Sequence, residues 1–133
     1  MSAVNIDQAF VFDFMAQDFG LEIAHDNEDM PSQGQSEWCA IRVHHNPERR
    51  KTIADLNQMT GVFSVVLYYP EGNGAMPAKL KAQEILDAYP VDRELSYAGQ
   101  VAKVSGHWRP QAAPEDGWYK IRCEIFFEAF LPR

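Results

Sequence analysis

Val62-Phe63-Ser64-Val65-Val66-Leu67-Tyr68-Tyr69, entered through Gly61 and left through Pro70-Glu71-Gly72-Asn73-Gly74, is the stretch on which the fold turns. It is β-branched and aromatic on both of its alternating faces. Such a run reads as a central strand covered on both sides. The glycine-rich turn after it leads to Pro77, which suits the first turn of a helix over 76–88. In that helix Ala78, Ala82, Ile85, Leu86 and Tyr89 form one stripe of about 100° on the wheel. Pro90 stops it.

Working outward, Trp38 to His44 alternates, with Cys39, Ile41 and Val43 on one side and Trp38, Ala40 and Arg42 on the other. It reads as a second strand, closed by Asn46-Pro47. Residues 48–60 are polar and read as a loop, or as a short helix around Ile53–Met59. Glu94 to Trp108 holds one or two weaker strands, with Val101 and Val104 as core candidates. Pro110 to Gly117 reads as a turn-rich loop. In the final strand, Trp118 to Phe130, Tyr119, Ile121, Cys123, Ile125, Phe127 and Ala129 share a face. Lys120, Arg122, Glu124 and Glu128 share the other, the pattern of a half-exposed antiparallel strand.

The N-terminal segment is less conventional. Asn5 is a cap candidate for a helix over 6–18, and Gly20 a stop. Val11, Phe12, Met15, Ala16 and Phe19 share one broad face, while Phe10 and Phe14 stand off it. Two apolar faces imply a second contact, such as another subunit. Phe10, Phe12 and Phe14 also alternate as a strand would, but helix is the favoured reading. Leu21 to His25 reads as a short extended piece, followed by a polar loop through Gly34. The resulting class is α+β, a mostly antiparallel sheet with two helices packed on it, in one domain spanning 1–133.

The chain has 133 residues and a formal charge of −7. The excess is local: Asp7, Asp13, Asp18, Glu22, Asp26, Glu28 and Asp29 fall in the first 30 residues without one Lys or Arg, and the remainder is balanced. Duplex DNA repels such a surface, so nucleic acid is not expected as the main partner. One-sided charge can instead steer a protein partner. Arg49-Arg50-Lys51, the only run of three bases, lies in a polar stretch and is the natural counterpart. With no basic leader and no membrane-length apolar run, the chain is expected in a cytoplasm. There Cys39 and Cys123, each in an apolar run, are expected as free buried thiols.

No assembled chemistry is visible. Residues 70–79 pass from strand to helix as a phosphate loop does, but lack its spacing and its Ser or Thr after the lysine. His25-Asp26-Asn27-Glu28-Asp29 lacks the alternation and central glycine of a calcium loop. His44 and His45 are adjacent on a strand and face opposite ways, so they cannot jointly hold one metal. The expectation is no catalytic residue, no cofactor and no metal.

The order of elements resembles the small tail terminator and minor tail proteins of long-tailed phages. The resemblance runs through an N-terminal helix, Glu22 to Asn27, Trp38 to His44, the 62–74 strand and turn, the 78–89 helix, and a closing strand over 117–127. It implies a structural subunit of a ring, usually of six copies, in the virion tail. Such a ring caps the tail tube, stops its growth and meets a head–tail connector protein. The partners implied are therefore the chain itself, the tail tube protein and the connector. Taken with the charge pattern, Phe10, Phe14, Asp7, Asp18, Arg49, Arg50 and Lys51 form the candidate assembly surface. A head-closure or tail-completion role is the neighbouring alternative. A small ligand-binding or enzymatic domain is the more distant one, and a deep polar pocket would mark it.

Overall fold

The structure, a computed structural model, describes residues 3–24, 37–46, 49–50, 56–70, 72, 74–110, 112–115 and 118–132. Its elements are α1 (Ala3–Gln17), β1 (Glu22–Ala24), β2 (Trp38–His45), β3 (Arg49–Arg50), β4 (Leu56–Pro70), α2 (Met76–Ala88), β5 (Glu94–Tyr97), β6 (Gln100–Trp108), β7 (Ala113–Glu115) and β8 (Trp118–Pro132). One sheet runs β1-β2-β4-β8-β6-β5, with β3 added to β4 and β7 to β8. Its spine is the 15-residue pairing of β4 with β8, in which Phe63 faces Ile125, Val65 faces Cys123 and Leu67 faces Ile121.

The expected class is corrected in two respects. The sheet is mixed, because β1 joins β2 in parallel, Glu22 opposite Trp38 through Ala24 opposite Ala40. It is also the bulk of the molecule and curls into a half-barrel, not a flat layer carrying helices. The curl follows from α1, which touches β2 near one edge and β5 and β6 at the other. Those edges lie roughly 19 Å apart along a sheet with 4.8 Å between strands, and a helix is only about 10–12 Å across. The sheet therefore wraps around α1. Period-2 patterning reports which face of a strand is buried, but not the direction of its neighbour nor the curvature of the whole.

Several local readings change as well. Residues 56–60, expected in a loop or helix, extend β4 ahead of Gly61, and Arg49–Arg50 pair with Gln58 and Asn57. Ala113–Glu115, expected as loop, pair with the start of β8. In β6, Ala102 and Val104 enter the core while Val101 is exposed, since residues three apart in a strand cannot share a face. The stripe of α2 is buried as read, Ala78, Ala82, Ile85, Leu86 and Tyr89 all facing the sheet side of the helix. The polar stretch 25–34 falls outside the described residues.

The largest reversal concerns α1. Ile6, Phe10 and Phe14 enter the core, and Phe12, Met15 and Ala16 face outward. Phe10 meets three rings at once: Phe63 at 5.1 Å, Phe127 at 4.9 Å and Tyr89 at 6.5 Å between centroids. The helix thus has two apolar faces, as its sequence states, but the opposite one is inside. On the sheet's other face a smaller cluster forms, with Trp38 stacked on Tyr68 at 4.1 Å and Trp118 set edgewise to both.

Cys39 and Cys123 are free and buried on the same face. Cys39 pairs with Leu67 and Cys123 with Val65, so β4 lies between them. Two strand spacings, roughly 9–10 Å, exceed the Cα separation a disulfide tolerates. Burial, first of all, pushes both thiols up from their ordinary 9 to about 12. The native state therefore retains protons that the unfolded chain releases above pH 9. Stability should be complete below pH 9 and fall as pH rises toward 12. At pH 10 each thiol should contribute a loss of roughly 1.4 kcal/mol. Urea midpoints at pH 8 and pH 10 measure it, and a Cys39→Ala/Cys123→Ala double variant should show the smaller decline. An equal decline in both proteins would assign the alkaline sensitivity to other groups.

The β5–β6 hairpin turns through Ala98 and Gly99, both with positive φ, 52° and 84°, between the paired Tyr97 and Gln100. Two left-handed residues in a two-residue loop favour Asn-Gly, and alanine there is strained by its Cβ. Ala98→Asn should stabilise the protein by about 0.5–1 kcal/mol, seen as a Tm rise of about 2–4 °C. A fall in Tm would show that the hairpin turns differently.

Candidate assembly surface

The seven residues nominated from sequence do not form one surface. Phe10 and Phe14 are fully buried between α1 and the sheet, so in this fold they are core residues and not contact residues. Asp7 is engaged inside the molecule: its Oδ1 lies 2.5 Å from His45 Nε2, tying α1 to the end of β2. Asp18 is exposed just beyond α1 and takes a left-handed φ of 53°. That conformation, one residue past the helix, ends α1 ahead of Gly20. Arg49 and Arg50 lie on the β2 side of β4, and Lys51 lies outside the described residues.

The large exposed apolar residues of α1 are Val4, Phe12 and Met15. They share an arc of about 80° at 100° per residue, which the sequence displays once the inward face is known. Tyr97 on β5 extends this surface by an edge contact with Phe12, 5.4 Å between centroids. Contiguous exposed apolar area of this kind marks a protein contact more often than an isolated side chain does.

Between α1 and β5 runs an open groove of about 390 Å³, lined by Ala9, Phe12, Asp13, Glu94, Leu95, Ser96 and Tyr97. Asp13 accepts two hydrogen bonds from Arg93, at 3.0 and 2.6 Å, and Arg93 also donates to the Ala88 carbonyl oxygen at 2.8 Å. The guanidinium lies over the Tyr89 ring at 5.1 Å. This bidentate clamp fixes α1 against the turn after α2. Burial and the neighbouring Asp13 carboxylate push the Tyr89 hydroxyl upward. Glu94 is exposed at the rim.

The groove is open, and its half-buried acid, Asp13, is already paired with Arg93. Among the described residues no group of three His, Cys, Asp or Glu gathers to hold a metal ion, and no helix is long and apolar enough to cross a membrane. The stretch 25–29 lies outside the described residues.

Comparison with known proteins completes the picture. One solved structure superposes with a TM-score of 0.78 at 23% sequence identity, covering 100% of this chain and 99% of that one. At that identity it is similar in fold. No curated protein matches the sequence. A sequence profile described as phage tail terminator protein matches residues 5–127, nearly the whole chain and every element from α1 to most of β8. The chain belongs to the phage tail terminator protein family, a structural family of the virion tail with a role in tail assembly.

Proposed function

We propose that this protein is a tail terminator subunit that closes into a ring of six copies on the end of the tail tube, halts tube growth and presents its other face to the connector of the head. The family match over residues 5–127 carries this reading. The outward stripe of Val4, Phe12 and Met15 supports it, because a helix already serving one core has no intramolecular use for a second apolar face. A head-to-tail contact that closes generates a ring, and the tube end supplies the template for closure. Asp18, Arg49, Arg50 and Lys51 remain the charged part of the assembly surface.

The direct test is tube length in tails assembled with and without this protein, together with native mass measurement of the free protein and of the tube-bound particle. Tubes of defined length and a closed oligomer at the tube end are the expected results. Tubes that stop at the same length without the protein would overturn the proposal.

A further inference from the structure

We infer that the groove between α1 and β5 receives the Arg49–Arg50 segment of a second copy of this chain. The inference rests on the ring proposed above and names the contact between its neighbours. The groove is lined by buried Ala9 and Leu95, by the exposed rings of Phe12 and Tyr97, which meet edgewise, and by the carboxylates of Asp13 and Glu94. Arg93 already neutralises Asp13, while Glu94 makes no ion pair with another described residue. The groove therefore offers one unneutralised carboxylate beside two aromatic rings. That combination suits an arginine, whose planar cation pairs with carboxylates and stacks on ring faces.

The candidate occupant sits on the other side of the sheet. β3 is held to β4 on the β2 side, and β5 is the terminal strand at the opposite edge, beyond β8 and β6. Donor segment and acceptor groove are thus different surfaces of one molecule, four strand positions apart. Two different complementary surfaces make a heterologous contact, the kind that propagates from copy to copy until it closes. A two-fold dimer would need donor and groove within one patch, so that each contact is made twice, whereas here they lie toward opposite edges of the sheet.

Charge reversal on each side separately, then together, tests the contact. Self-association is read by sedimentation at low and high salt, with and without tail tubes, and folding by circular dichroism. Glu94→Lys and the pair Arg49→Glu/Arg50→Glu should each leave the fold intact and weaken association about tenfold at low salt, with a smaller loss at high salt. A chain carrying all three changes restores opposite charges across the contact and should recover association. Each reversed protein alone sets like charges against each other, whereas mixing the two should recover association as an alternating assembly, because each donor segment then meets a groove of opposite charge. If the wild type assembles and every variant assembles equally well, the groove assignment is overturned while the ring stands. If the wild type stays monomeric at all concentrations and on tubes, the ring itself fails.

Discussion

Phe10→Ala is expected to destabilise the protein by about 3–5 kcal/mol, the cost of removing a large aromatic from a closed core. Phe12→Ala, two residues away on the same helix, should change stability by less than about 1 kcal/mol. The contrast follows from burial: Phe10 is 0% exposed and Phe12 is 50% exposed. Phe10 also sits in contact with the rings of Phe63, Phe127 and Tyr89, so its loss leaves a cavity bounded by β4, β8 and α2 that none of them can fill alone. Urea unfolding of the two variants decides the matter. Comparable losses would return α1 to the orientation that its sequence alone suggests, with Phe12 inward. Assembly assays should sort the same pair the other way, Phe12→Ala impairing association while leaving the subunit folded.

Gly61→Ala is expected to cost at least about 3 kcal/mol, and Gly61→Val to prevent soluble folding. Gly61 lies inside β4, opposite His45 on one side and Phe127 on the other. A Cβ there would overlap the His44 carbonyl oxygen and come within 2.6 Å of the Phe127 ring. The ring could shift, but the carbonyl belongs to a backbone held in register from Trp38 to His45. A glycine within a strand often marks such a close backbone approach. Gly106→Ala is the control in the same sheet, because a Cβ there meets nothing nearer than Phe126 at 4.0 Å. Thermal melts and soluble yield should separate the two positions clearly. Equal tolerance would mean that β2 and β4 can spread without losing their pairing.

Gly61 also shows how a local reading loses part of its information. In sequence it stands between a polar stretch and an apolar one, which looks like the boundary of a strand. The strand in fact runs through it, because Gln58 and Thr60 are polar on the sheet's outer face while Met59 is buried on the inner. Arg49–Arg50 and Ala113–Glu115 were illegible as strands for a related reason. Each is two or three residues long, too short for a period, and exists because a long partner strand offers unpaired backbone groups. The groove between α1 and β5 was likewise invisible. It depends on Phe12 and Asp13 meeting Glu94 and Tyr97 some 80 positions later in the chain.

What the sequence determined by itself is the set of elements whose burial pattern is unambiguous along the chain. The apolar run of β4, the alternation of β8 and the single stripe of α2 each admit one reading, and together with the order of elements they carried the family resemblance. Tertiary structure decided the rest. α1 is apolar on two faces, and its own residues favour the broader one, with Phe12, which is not the face that the core takes. The choice falls to the rings of Phe63, Tyr89 and Phe127, which leave a cavity that Phe10 fills. The curl was decided in the same way, by α1 occupying the inside of the sheet, and the parallel pairing of β1 with β2 is likewise set only in the folded chain. A repeating pattern records which side of an element is dry. Which dry side meets which partner is a property of shapes that are brought together only when the chain has folded.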